Sequence, residues 1–198
     1  MMESRELGVR NIALIGMMGS GKTSVGKCLA DRLGWGFVDL DHLIEIQIGT
    51  SVQRIFEQYG ESYFRCLEER TAVNVLLGTR QVIATGGGAV KSSRIRAELA
   101  RYSLVVWLVA SPAELARRAA LSPGTRPLLV GVDPEARLEE ILRDREQYYK
   151  MAHVEVNTEG LTPEQVAERI LEILGQDISL TSSREGADRG ECGRNGLG

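Results

Sequence analysis

Gly16-Met17-Met18-Gly19-Ser20-Gly21-Lys22-Thr23 follows the short apolar run Asn11-Ile12-Ala13-Leu14-Ile15 and precedes Val25, Leu29 and Leu33 at helical spacing. The string fits G-x-x-x-x-G-K-[ST], and its setting between an apparent strand and a helix is the one in which a glycine loop cradles phosphate. Glycines alone would fit any strand-to-helix turn; the Lys-Thr pair at this spacing decides the reading. Backbone N–H groups of the loop converge on phosphate oxygens, and the helix N-terminus adds partial positive charge. The expected nucleoside-triphosphate contacts are Gly19, Ser20, Gly21, Lys22, Thr23 and Ser24. Lys22 would reach the terminal phosphates, and the Thr23 hydroxyl would hold Mg²⁺.

Working outward, strands and helices alternate. Phe37-Val38-Asp39-Leu40 reads as a second strand and Leu43 to Ile48 as the start of a helix, with a further helix capped at Thr50/Ser51. Glu61 to Leu77 follows, carrying Phe64, Leu67, Thr71 and Val75 on one side. Gln81 to Thr85 is a third strand running into Gly86-Gly87-Gly88. Ser92 opens another helix, and Leu104 to Val109 is a continuous apolar strand, as in a parallel sheet covered on both faces. Ser111-Pro112-Ala113-Glu114 has the form of a capping box. The stretch 121–129 is a Pro/Gly loop, Asp133-Pro134 starts a helix reaching about Lys150, and Val154 to Val156 is a short strand. Thr162 to Gln165 caps a last helix expected to stop at Gly175. The pattern predicts a doubly wound α/β fold of about five parallel strands with helices on both faces. One domain over 1–176, with a lid near 117–129, would precede a polar tail over 177–198 that is too poor in apolar residues to order itself.

The 198 residues carry a formal net charge of -3, which gives no general attraction to nucleic acid or anionic membranes. The longest apolar stretch, Leu104 to Ala110, is too short to span a bilayer. The start of the chain lacks the apolar segment of a signal peptide. Cys28, Cys66 and Cys192 are odd in number and widely spaced, so neither a disulfide framework nor a zinc site is expected. Cys28 and Cys66 fall in helical stretches and are expected to be buried. A reducing cytoplasm is the expected compartment.

Further candidates lie at strand ends. On a strand, residues two apart share a side, so Asp39 and Asp41 would both face one site at the carboxyl end of the second strand. Capping of the following helix is the competing job for an aspartate there, and for Asp41 in particular. Three glycines in a row at 86–88 suggest close backbone approach by a ligand beyond what one turn requires. Arg65, Arg126 and Arg145 are, singly, ordinary surface arginines. Arg65 nevertheless sits in the first turns of a helix, against dipole preference, and Arg126 lies where a closing loop could bring a guanidinium onto a transferred phosphate.

Taken together, the phosphate loop, Phe37 to Asp41, Ile55-Phe56, Gly60-Glu61, Phe64-Arg65, Gly86 to Gly88, Arg126-Pro127-Leu128-Leu129 and Arg145 resemble the shikimate kinase family, in order and spacing, over roughly residues 11–174. The resemblance implies transfer of the γ-phosphoryl group of ATP to the 3-hydroxyl of shikimate, by a monomer. It implies that Asp41 binds the acceptor hydroxyls and serves as base or orienting group. Arg65 and Arg145 would bind the acceptor carboxylate, with Gly86, Gly87 and Gly88 supplying backbone contacts. Arg126 would be the lid arginine on ATP; Lys22 and Arg126 would share the developing charge; Thr23 and Asp39 would serve Mg²⁺. One departure stands out. The family often has an arginine seven residues before the lid arginine, where this chain has Ala119, with Arg117 and Arg118 just before. A small-molecule kinase for another acceptor, such as gluconate or a nucleoside monophosphate, and a non-catalytic nucleotide switch are the rival readings.

Overall fold

The computed structural model describes residues 9–121, 129 and 131–187, with side chains to residue 175. Arg126, with residues 122–128 of the expected lid, lies outside them, as do residues 188–198 of the expected tail. Five strands, β1 (Asn11–Ile15), β2 (Gly36–Asp39), β3 (Gln81–Ala84), β4 (Ser103–Val109) and β5 (Val154–Asn157), form one sheet in the order β2-β3-β1-β4-β5. Every pairing is parallel. The helices are α1 (Lys22–Leu33), α2 (Leu40–Ile48), α3 (Val52–Leu76), α4 (Ser93–Tyr102), α5 (Pro112–Leu121), α6 (Pro134–Tyr149) and α7 (Pro163–Ala187), and a 3₁₀ turn covers Ala89–Lys91.

The pleat sorts the sheet's side chains into two cores. Ile12 and Leu14 of β1, with Val82, Val106, Leu108 and Val156, pack beneath Val25 and Leu29 of α1 and Val166 and Ile170 of α7. The alternate residues Ala13 and Ile15, with Ile83, Val105 and Trp107, face Ala72 and Leu76 of α3, Ile95 and Leu99 of α4, and Leu138, Ile141 and Tyr149 of α6. All five residues of β1 are buried, as a central parallel strand requires. A satellite cluster of Ile44, Ile55 and Phe64 ties α2 to α3. The register sets Leu14 beside Ala84, and Ala84 beside Asp39. The carboxyl ends of β1, β3 and β2 therefore finish at one level, and the phosphate loop, the triple glycine and the aspartates emerge there together.

Local signals set most helix starts. Ser51, Ser92 and Asp133 accept the backbone N–H groups of Arg54, Ile95 and Glu135. Thr162 and Gln165 exchange reciprocal bonds of 2.8 and 3.3 Å, a complete capping box. At Ser111 the box is half made: its hydroxyl accepts from the Glu114 amide, whereas its own N–H goes to Glu159. Glu114 is drawn instead to Arg117 and Arg118. The stretches expected as two helices around Gly60 run on as α3, with Gly60 at φ 80° and ψ 171° marking the break.

Three expectations are corrected. α7 does not stop at Gly175 but continues to Ala187; a glycine inside a helix costs only about 1 kcal/mol relative to alanine and does not by itself end one. Cys66 is exposed and Cys28 half-buried. Cys66 lies two residues from the buried Phe64, which puts it about 200° round the helix, on the outer side. The third correction concerns Asp41 and belongs to the site.

Candidate active site

The phosphate loop is held open by its own backbone and by Lys22. Gly16 leaves β1 at φ 142°, and a Cβ there would stand 2.6 Å from the carbonyl oxygen of Leu108, so only glycine fits. Gly21 caps α1 in a left-handed conformation and supplies no side-chain hydrogen bond. The first N–H groups of α1 thus have no side-chain cap, which suits an anion at the helix start. Lys22 Nζ donates to the carbonyls of Gly16 at 2.9 Å and Met17 at 2.8 Å, spanning the loop. A cavity of about 490 Å³ opens over Gly19 to Val25 and is bounded by Asp39, Asp41, Thr85, Gly87, Arg118 and Pro163, among others.

Strand β2 ends at Asp39 and α2 begins at Leu40. Asp39 and Asp41 are therefore not alternate residues of one strand, as the sequence suggested. Asp39 is the helix cap, accepting the N–H groups of Asp41 at 3.1 Å and His42 at 3.3 Å, so the capping job belongs to Asp39, not Asp41. Asp41 stands in the first turn of α2, where the helix carries it to the same cavity. Asp39 Oδ2 also accepts from the Thr23 hydroxyl at 2.6 Å. These are hard oxygen donors side by side at the phosphate loop, a donor set that suits Mg²⁺. Among the described residues no group of three or more His, Cys, Asp or Glu side chains could hold a metal ion.

Asp41 is electrostatically unusual. Burial, then Glu68 and Asp39, push its carboxyl up to about 7, against the opposing pull of Lys22 and Arg65. Its Oδ1 has no hydrogen-bond partner among the described residues. A carboxyl balanced near neutrality is suited to accepting a proton.

Beyond Asp41, the triple glycine brings the arginines in. None of Gly86, Gly87 and Gly88 has positive φ; at Gly86 and Gly88 a Cβ would crowd side chains of the protein itself. At Gly86 it would stand 2.3 Å from Glu68 Oε1 and 2.8 Å from Asp41 Oδ1, and at Gly88 2.6 Å from Arg65 Nη2. Gly87 lies against the phosphate loop, where a Cβ would be 3.3 Å from the Met18 amide nitrogen. Arg65 donates to Glu68 Oε2 at 2.7 Å and to Glu61 at 3.0 and 3.1 Å. Arg145, 8% exposed, donates through Nη1 to the Gly87 carbonyl at 2.9 Å, and its buried Nε has no partner among the described residues. Arg65 and Arg145 thus flank the glycine turn without lining the 490 Å³ cavity. Arg118 does line it; its Nη atoms donate to Thr158 Oγ1 at 3.0 Å and the Thr158 carbonyl at 2.6 Å. Arg117 faces outward, 62% exposed.

Sequence reading missed Glu68 and Tyr149. Glu68 is 1% exposed, and burial raises its carboxyl against the pull of Arg65 and Arg145. A signal was present: Phe64, Glu68, Thr71 and Val75 share one helical stripe, and a glutamate in that stripe must be buried. Tyr149, one turn beyond Arg145, is fully buried and donates to the Gly87 carbonyl at 2.8 Å.

Comparison with known proteins agrees with this geometry. The family model "Shikimate kinase" matches residues 18–175. A shikimate kinase of Gloeobacter violaceus is 47% identical over 173 residues, 87% of this chain and 97% of the relative. One of Thermodesulfovibrio yellowstonii is 44% identical over 163 residues, 82% of this chain and 94% of the relative. The structure of the Acinetobacter baumannii shikimate kinase in complex with shikimate superposes with a TM-score of 0.83 at 34% identity, covering 87% of this chain and 97% of that one. The chain belongs to the shikimate kinase family.

Proposed function

We propose that this chain transfers the γ-phosphoryl group of ATP to the 3-hydroxyl of shikimate, giving shikimate 3-phosphate and ADP on the way to chorismate and the aromatic amino acids. The observation that carries the reading is the position of Asp41, a carboxyl raised to about 7 beside the phosphate loop, with Arg65 and Arg145 beyond it across the glycine turn. A phosphate-binding loop, a proton acceptor and two guanidinium groups in that order match an acceptor that carries both a hydroxyl and a carboxylate. The relative crystallised with shikimate supports the same acceptor.

In this reading Asp41 accepts a hydrogen bond from the 3-hydroxyl and takes its proton as the oxygen bonds to the γ-phosphorus and the bond to the β-phosphate oxygen breaks. Arg65 and Arg145 bind the carboxylate, each able to offer two parallel N–H groups, and Gly86 to Gly88 contribute backbone contacts. Lys22, with Arg126 of the lid, balances the charge on the transferred group, and the amides of Gly19 to Ser24 hold the phosphates. Thr23 and Asp39 would hold Mg²⁺, which when bound neutralises phosphate charge. Arg118, aimed into the cavity, belongs to the nucleotide side. Residues 1–176 would act as one domain, monomeric and cytoplasmic, with 177–198 as an appendage outside the catalytic unit. No helix among the described residues is long and apolar enough to cross a membrane.

The test is ADP release from Mg-ATP with shikimate, gluconate or nucleoside monophosphates as acceptor. Turnover specific to shikimate is expected. Turnover only with another acceptor would leave the nucleotide site standing and overturn the roles of Arg65 and Arg145.

A further inference from the structure

Tyr149 closes α6 with its side chain fully buried and its ring stacked on Trp107, centroids 5.4 Å apart and planes at 21°. A phenylalanine would fill that space and keep that stacking. The hydroxyl is what packing does not require, and a buried hydroxyl persists where it has a partner. Its partner is the Gly87 carbonyl at 2.8 Å, with Met17 Sδ of the phosphate loop a looser neighbour at 3.6 Å.

The same carbonyl accepts from Arg145 Nη1 at 2.9 Å. A carbonyl oxygen has two lone pairs, and both are in use. Gly87 also lies against the phosphate-loop backbone, where a Cβ would meet the Met18 nitrogen at 3.3 Å and the Gly16 oxygen at 3.6 Å. One peptide therefore joins the phosphate loop to the acceptor turn, and two side chains of α6, four residues apart, hold it. They are not equivalent. Arg145 has the buried Nε without a partner among the described residues and is the member suited to an incoming carboxylate. Tyr149 has one proton, and the Gly87 carbonyl is the nearer and stronger of its two acceptors.

We propose that Tyr149 is a positioning residue: its hydroxyl keeps the Gly87 peptide seated against the phosphate loop when Arg145 turns from that carbonyl to the carboxylate of the acceptor. This rests on the acceptor-site reading of Arg145 given above. Burial, opposed by Arg145, pushes the phenol up to about 12, so it remains a donor throughout the working pH range.

Tyr149→Phe removes the oxygen and leaves the ring. The expected result is an acceptor KM raised about fivefold or more, with the KM for ATP unchanged within about twofold, since one hydrogen bond on the acceptor side is lost. Amide hydrogen exchange over Gly86 to Ala89 should quicken about threefold in the substrate-free protein, where Arg145 still shares the carbonyl, and about tenfold with shikimate bound, where Tyr149 alone holds it. A lower Tm with unchanged acceptor KM and unchanged exchange would reduce Tyr149 to packing and overturn the proposal, as would an equal rise in both KM values. If the wild-type protein ignored shikimate, the acceptor reading would fall separately. Exchange would then decide Tyr149 alone: quickened exchange supports its hold on Gly87, and unchanged exchange ends it.

Discussion

Asp41 and Glu68 aim carboxylate oxygens that have no hydrogen-bond partner among the described residues at the same face of Gly86, which a Cβ could enter only by standing 2.8 Å from one and 2.3 Å from the other. Two carboxylates share a buried corner because a glycine leaves room, and after burial the like charge of Glu68 is the next cause that raises the hold of Asp41 on a proton. The like charge of Glu68 is offset on its far oxygen by Arg65 at 2.7 Å. The corner is thus a charge chain from Arg65 through Glu68 to Asp41, and the chemistry proposed for Asp41 depends on its being kept intact.

Gly86→Ala should break it. The added methyl must displace one carboxylate or the turn itself, and overpacking of this kind costs about 1–3 kcal/mol. Steady-state kinetics should show kcat/KM for shikimate reduced by about a hundredfold or more, as expected when reacting groups are misplaced by about an ångström, with ATP affinity retained. An alanine enzyme with normal acceptor kinetics would mean that the corner relaxes freely.

The Asp41 carboxyl, about 7 in the folded chain against an ordinary 3.8, predicts two opposite pH responses. A base must be ionised to work, so kcat/KM for shikimate should fall about tenfold per unit below pH 7. For stability the sign reverses. The folded state binds this proton more tightly than the unfolded state, so the contribution is fully present below about pH 4 and is lost as pH rises through 7. Asp41→Asn should abolish turnover, leave nucleotide binding, and raise Tm by about 2–5 °C at pH 8 with little gain at pH 4. Thermal melts of both proteins across this range are the check; a variant equally destabilised at every pH would show that Asp41 is not held out of water.

Glu68→Gln keeps the shape and removes the charge. Glu68 raises Asp41, so the acid limb of the shikimate kcat/KM profile should move to lower pH. Arg65 would lose its 2.7 Å ionic partner, and the acceptor KM should rise about tenfold, the scale of one charge-assisted hydrogen bond. An acid limb that stays in place would mean that burial and Asp39, without Glu68, set the proton affinity of Asp41.

Much of this was legible beforehand, and the exceptions have physical reasons. The phosphate loop, the five parallel strands and the glycine turn follow from local patterns: the Gly/Lys/Thr spacing, apolar runs and helix caps. Asp41 was found for an incomplete reason, because the strand ends at Asp39 and the first turn of α2, not strand alternation, brings Asp41 to the cavity. The three glycines at 86–88 are read from sequence as making room for a ligand; the structure adds that Gly86 makes room for Asp41 and Glu68, Gly88 for Arg65, and Gly87 for the phosphate-loop backbone. Glu68 was passed over because a glutamate on a long helix is ordinarily solvated; only its place in the stripe of Phe64, Thr71 and Val75 gave it away. Tyr149 is a fully buried core residue that no motif singles out; that its hydroxyl reaches Gly87, 62 residues away in the chain, is a long-range contact no local pattern encodes.

The adjacent arginines of α5 offer a last test, one the sequence left open. Both reach Glu114, whose carboxyl they hold down to about 2, and both follow the same helix turn. They diverge at the guanidinium: Arg118 is anchored to Thr158 at the cavity wall, 20% exposed, whereas Arg117 is 62% exposed. An arginine fixed by carbonyl and hydroxyl acceptors presents its flat face at little entropic cost, and a planar cation beside a cavity is suited to a stacked ring. Arg118→Ala should therefore raise the KM for ATP about tenfold, equivalent to about 1.4 kcal/mol, while leaving the KM for shikimate in place. Arg117→Ala should change neither by more than about twofold, as is usual for an exposed ion pair. Both variants can be measured in one assay by titrating ATP at saturating shikimate. Equal effects of the two substitutions would show that the shared carboxylate of Glu114, and not the aim of Arg118, sets nucleotide affinity on this side of the site.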